Sequence, residues 1–103
     1  MSPAADKYTC APQQRILKLL IVLAGHEITG LSPSDIATAL SCSASVTTRD
    51  LANLKHACMA EQVPDTGRWR LSPQVVQIAV RYQVALDRAR SRLDETSQRY
   101  SRI

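Results

Sequence analysis

The chain has 103 residues, enough for one domain with a single modest core, and that size excludes elaborate multi-domain machinery. Thirteen Lys and Arg against nine Asp and Glu give a formal net charge of +4, which favours polyanionic partners, while the absence of Phe and the presence of only three Gly favour helices over a sandwich or barrel. The longest apolar run, Ile16 to Ala24, contains Lys18 and falls well short of the roughly 20 residues a membrane span requires, so no membrane partner is expected.

Residues 1–11 are small and polar without periodicity and read as a flexible N-terminal arm. They lack the cationic start and small-residue cleavage pattern of a secretory signal, which points to the cytoplasm. Pro12 suits the first turn of a helix that runs to about Ala24. Ile16, Leu19, Leu20 and Leu23 form one stripe of it, and Leu17, Ile21 and Val22 lie elsewhere around it. A helix apolar nearly all round must be covered on more than one side.

Gly25 to Leu31 is a loop, and Ser32 opens the next helix: its hydroxyl can cap an early N–H, Pro33 takes the first helical position, and Asp35 stands where a capping-box acid could reach back. Ile36, Ala37 and Leu40 supply the buried stripe of about two turns. Ser41, Cys42 and Ser43 make a turn, and Ser43 is the second N-cap. From Ala44 the pattern continues to about Cys58, with Thr47, Leu51, Leu54 and Cys58 on one stripe and Ser45, Arg49, Asn53 and His56 opposite.

In the stretch EQVPDTGRWRL, Asp65-Thr66-Gly67 is a turn signal, and Trp69 and Leu71 alternate with Arg68 and Arg70, the pattern of a small hairpin. Trp69 reads as the anchor of that hairpin on the core. Ser72-Pro73 repeats the cap-plus-proline start and launches the longest helix, roughly Pro73 to Arg102. Val75, Ala79, Tyr82, Leu86, Ala89, Leu93, Thr96, Tyr100 and Ile103 follow a four-three spacing, a weak coiled-coil seam because Ala and Thr hold several positions. Arg90, Arg92 and Arg99 flank it without opposite charges across a homodimer of either orientation. Charge is uneven: residues 1–71 carry seven Lys/Arg against six acids, residues 72–103 six Arg against three.

The order helix, short helix, tight turn, helix, hairpin, long helix resembles a winged helix-turn-helix, most closely the N-terminal DNA-binding domain of IclR-family bacterial regulators. The residues that carry the resemblance are Leu31-Ser32-Pro33-Ser34-Asp35-Ile36-Ala37, then Ser45-Val46-Thr47-Thr48-Arg49-Asp50-Leu51-Ala52-Asn53-Leu54, then Gly67-Arg68-Trp69-Arg70-Leu71. It covers about Pro12 to Val76. The implied fold is mainly α: a three-helix core plus a small β-hairpin wing over residues 12–71, followed by one long C-terminal helix over 72–103 for packing or dimerisation. Cys58 stands where such domains commonly have Gly, and Ala60-Glu61-Gln62 is poorly apolar, so a short wing is expected. The chain ends after one long helix, so the family's effector domain is not expected and no cofactor or small-molecule ligand is implied.

The resemblance implies a regulator of bacterial or phage type that binds double-stranded DNA; a homodimer is expected because DNA readers of this size usually need two half-sites, and repression by occupying a promoter is the simplest mechanism without an effector domain. Ser43, Ala44 and Ser45 permit close approach to the duplex, Arg49 is the candidate base reader with Thr48, Asn53 and Lys55 nearby, and Arg68 and Arg70 would meet phosphates. A compact interface would use Leu17 and Ile21 of the first helix and Val75, Ala79, Tyr82 and Leu86 of the last. The rival reading is a protein-protein module whose partner takes the C-terminal helix. Cys42 and Cys58 read as small core residues, Arg49 alternatively as a surface charge beside Asp50. His26, His56, Cys10 and Cys58 have no recognised metal spacing, and no catalytic triad or phosphate loop is present, so neither a metal nor an enzyme is expected.

Overall fold

Serine and proline set most of the element boundaries. The computed structural model describes residues 7 to 102, and the chain divides after Ser72 into two units. Residues 1–6 of the anticipated arm and Ile103 of the anticipated seam lie outside the described residues. Lys7 and Tyr8 are helical, so the expectation of an unstructured arm through residue 11 does not hold at its end.

In the first unit, α1 spans Ala11–Leu23 with Pro12 in its first turn, α2 spans Pro33–Leu40 and α3 spans Ala44–His56. Ser32 caps α2 by accepting the Asp35 N–H at 3.1 Å, and Ser43 caps α3 by accepting the Val46 N–H at 3.2 Å. Asp35 does not close a capping box; its carboxylate lies 3.9 Å from the Arg68 guanidinium. α1 packs against α2, and α2 against α3. Leu19, Leu23, Ile36, Leu51 and Leu54 from these helices are buried as the helical periodicity anticipates, and Trp69 and Leu71 as the hairpin alternation does; Ala60 joins them unanticipated, while Ile16, Leu20, Ala37 and Leu40 of the expected stripes are only half-buried.

The wing is a short antiparallel pair, β1 (Ala60–Gln62) and β2 (Trp69–Leu71), with Ala60 opposite Leu71 and Gln62 opposite Trp69. Ala60 and Leu71 face the core, so three residues per strand suffice. Leu31 adds a bridge on the other edge of β2 by exchanging two 2.8 Å backbone hydrogen bonds with Trp69. That bridge brings the segment before α2 against the wing. A Cβ on Gly30, whose φ is +75°, would stand 2.8 Å from the Trp69 carbonyl oxygen, so this close approach requires glycine.

The second unit is one helix, α4 (Pro73–Ser101), which contains no buried residue. Neither Gly nor Pro interrupts it, consistent with an unbroken helix of 29 residues. Among the described residues, no helix is long and apolar enough to cross a membrane.

Candidate nucleic-acid interface

Two hydrogen bonds end α2 abruptly. The Cys42 N–H donates to the Ala37 carbonyl at 3.1 Å and the Ser41 N–H to the Thr38 carbonyl at 3.2 Å, with Ser41 left-handed at φ +52°. This paired closure satisfies carbonyls at the helix end and turns the chain. Ser43 then begins α3, so only two full residues separate the last turn of one helix from the cap of the next. Pro33, Ser34, Ala37, Thr38, Ser41, Cys42, Ala44 and Thr48 line an open groove of about 490 Å³ along this crease.

α3 is divided by its periodicity into two faces. Thr47, Asp50, Leu51 and Leu54 are buried, while Ala44, Ser45, Thr48, Arg49, Ala52, Asn53, Lys55 and His56 are exposed. The outward face is small and polar at its start, and Arg49 rises one turn in. Hydroxyl hydrogens are partly committed: Thr48 Oγ1 donates to the Ala44 carbonyl at 2.9 Å, and Ser43 Oγ and Ser45 Oγ lie 3.2 Å apart. Thr48 is therefore left as an acceptor toward an incoming group. Among the described residues no carboxylate lies within ion-pairing distance of Arg49 or Lys55, so both present uncompensated positive charge.

Asp50 does not neutralise Arg49, contrary to the surface-pair alternative. Its side chain is buried and faces Arg15 of α1, whose Nε donates to one carboxylate oxygen and whose Nη2 donates to the other at 3.0 Å. The hydrogen bond to Asp50 raises the Arg15 pKa further above its already high value, outweighing the opposing effect of burial. On the arginine side, the contribution is present at neutral pH and is lost only as pH rises through the arginine range, because the hydrogen bond favours the charged guanidinium. The fork fixes α3 to α1 across 35 residues of sequence. A helical wheel alone carries the signal, because Asp50 shares the stripe of Thr47, Leu51 and Leu54.

The wing arginines are tied into the protein. Arg68 donates from Nε and Nη2 to the Gly30 carbonyl at 3.2 and 3.1 Å and also approaches Asp35; Arg70 Nε donates to Glu61 at 3.3 Å. Both hold the wing in place, and their remaining guanidinium N–H groups are what a phosphate could use.

Cysteine placement differs from the anticipated core. Cys58 is exposed with φ +62°, and Cys42 is half-buried, its sulfur 3.2 Å from Thr47 Oγ1. Cys58 leaves the core because it occupies the left-handed residue that ends α3: the Met59 N–H reaches back to the Leu54 carbonyl at 2.9 Å and the Cys58 N–H to the Lys55 carbonyl at 3.0 Å. Left-handed geometry also accounts for the glycine that the resemblance anticipates there. Residues passed over by the sequence reading are Ala52, at the centre of the exposed face of α3, and Ser34 and Thr38 in the groove. Small side chains give no periodic signal of their own. Among the described residues no His, Cys, Asp and Glu cluster could hold a metal ion.

Three helices, a sharp break before the third, and a two-stranded hairpin stitched back to the segment before α2 define a winged helix-turn-helix. Solved structures share this fold: an IclR-type transcriptional regulator from Alicyclobacillus acidocaldarius is similar at 20% identity and a TM-score of 0.64, over 73% of this chain and 30% of that one. A candidate IclR-type transcriptional regulator from a Silicibacter species is similar at 23% identity and a TM-score of 0.62, over 71% of this chain and 28% of that one. The chain thus spans less than a third of either protein's length. No protein-family model matches the sequence, and no curated protein matches it.

Proposed function

We propose that the protein is a cytoplasmic, sequence-specific reader of duplex DNA that regulates transcription as a homodimer, without enzymatic activity. The observation that carries this reading is the outward face of α3: Ser45, Thr48, Arg49, Ala52 and Asn53 are presented together on a helix whose opposite face is locked to the core and to Arg15. Two solved structures with this fold are described as transcriptional regulators, which supports the same assignment.

In this reading the start of α3 enters the major groove, Ser43 and Ala44 allow its backbone to come close, and Arg49 donates two hydrogen bonds to guanine O6 and N7. Thr48 accepts from a base amino group, Ala52 meets a thymine methyl, and Asn53 is a neighbouring reader. Lys55, Ser34 and Thr38 reach phosphates, while Arg68 and Arg70 present their outer N–H groups to the backbone and position the wing. Leu17 and Ile21 remain 54% and 75% exposed on α1 and, with Val75, Ala79, Tyr82 and Leu86 at the beginning of α4, supply the apolar contacts of a dimer that engages two half-sites. Occupying a promoter is then sufficient for repression.

The test is selection from a random duplex library at two salt concentrations. The purified protein should enrich a two-fold-symmetric motif, and Arg49→Ala should weaken binding to it by about 1–3 kcal/mol. Retention that is blind to sequence and abolished by moderate salt would leave only nonspecific charge attraction and defeat the proposal.

A further inference from the structure

The second half of α4 carries charge and apolar surface that DNA reading by α3 does not use. At ~100° per residue, Ala89, Leu93, Thr96 and Tyr100 share one stripe. Leu93 is 70% and Tyr100 82% exposed. Arg92 and Arg99 run along one flank of that stripe and Arg90 along the other, whereas Asp87, Asp94 and Glu95 lie on the far side of the helix. Among the described residues no carboxylate comes within ion-pairing distance of these three arginines.

A second copy of the chain would not compensate them. In a parallel pair along the seam, Arg92 would face Ser97 and Arg90 would face Ala85; in an antiparallel pair the arginine rows would face each other. DNA phosphates would satisfy the guanidinium groups but leave Leu93 and Tyr100 in water. A helix with its own apolar stripe flanked by carboxylates meets both requirements at once, placing Leu or Ile against Leu93 and Tyr100 and Glu beside Arg90, Arg92 and Arg99.

We propose that the segment of α4 from Ala89 to Tyr100 is a docking face for an acidic amphipathic helix of another protein. The proposal does not rest on DNA binding by α3 and would couple this chain to a second protein. Its specificity is electrostatic and its affinity apolar, because the flanking charges select the partner and the seam supplies the buried surface.

Two synthetic 28-residue helical peptides test it, one with Leu at the seam and Glu at every flanking position, the other identical with Lys in place of Glu. Binding of each labelled peptide to the full chain is followed by fluorescence anisotropy at ~0.1 M salt, where exposed charges still interact over about 10 Å. The Glu peptide should bind at least tenfold more tightly than the Lys peptide. Arg90→Glu, Arg92→Glu and Arg99→Glu together should invert that preference, and Leu93→Ser should weaken whichever peptide is preferred. Arg→Gln at the same three positions, which keeps helix propensity and adds no new charge, should abolish the preference without inverting it. No binding, or equal binding of the two peptides, would overturn the proposal. So would a triple reversal that leaves the peptides unaffected and instead lowers DNA affinity or dissociates a dimer, since the arginines would then belong to the duplex or to self-association.

Discussion

Replacing Cys58 with glycine should stabilise the protein. Cys58 holds φ at +62°, a region where a residue bearing Cβ carries about 1–2 kcal/mol of strain. Its side chain is exposed, and the sulfur's nearest polar partner is the His56 carbonyl at 4.0 Å, so truncation forfeits almost no packing. Against the relief stands the greater freedom of glycine in the unfolded chain, about 0.5–1 kcal/mol. The difference is a net gain of about 0.5–1 kcal/mol, or a rise of roughly 2–8 °C in the unfolding midpoint of a domain this size. Urea and thermal unfolding under reducing conditions, followed by the fluorescence of Trp69, would measure it, because the chain has one Trp and that residue is buried in the first unit. Cys58→Ala retains Cβ and should show no gain. Equal stability of the glycine and alanine variants would refute the strain argument, and a loss in the glycine variant would mean that the thiol packs against something the geometry does not reveal.

Gly30→Ala should act in the opposite direction, costing about 2–3 kcal/mol by the same unfolding assay, because the added Cβ meets the Trp69 carbonyl at 2.8 Å in a left-handed conformation. Asp50→Asn should cost about 2 kcal/mol, the scale of hydrogen bonds to a charged group, and, if α3 reads DNA as proposed, should lower affinity for the selected duplex through a looser α3 while leaving base preference unchanged in the selection experiment. Arg68→Gln should weaken binding to all duplexes alike and reduce the steepness of the log affinity against log salt plot by about one, whereas Arg49→Ala should also relax the preferred motif. Ile21→Asp should dissociate the proposed dimer, read as a fall in sedimentation coefficient and a shift of DNA binding to higher protein concentration.

The elements most legible in the sequence are those decided within a few residues. Ser32-Pro33 and Ser43 cap their helices through their own hydroxyls, Asp65-Thr66-Gly67 turns the hairpin, and Pro73 opens α4, because a cap or turn depends on groups three or four positions away. Arg15 and Asp50 illustrate what is not legible. The inward face of Asp50 can be read off a helical wheel, but its partner cannot: Arg15 looks like a surface charge in its own window, and only the packing of the core brings the two together. The Leu31–Trp69 bridge and the retreat of Arg68 onto the Gly30 carbonyl are non-local in the same sense. Cys58 misleads for a different reason: extending the helical stripe by one turn places it in the core, but the helix has already ended and its backbone has changed hand.

The division of α3 into an anchored face and an open one bears on how a new binding preference can arise. Thr47, Asp50, Leu51 and Leu54 are held by the core and by Arg15, whereas Ser45, Thr48, Arg49, Ala52 and Asn53 contribute little to it. Substitutions at exposed positions of this kind usually shift stability by no more than about 0.5 kcal/mol. Mutational drift over those five positions therefore leaves a folded molecule at every step and, on the proposed reading of α3 as the DNA-contacting helix, lets a lineage exchange one target for another without crossing a valley of unstable intermediates.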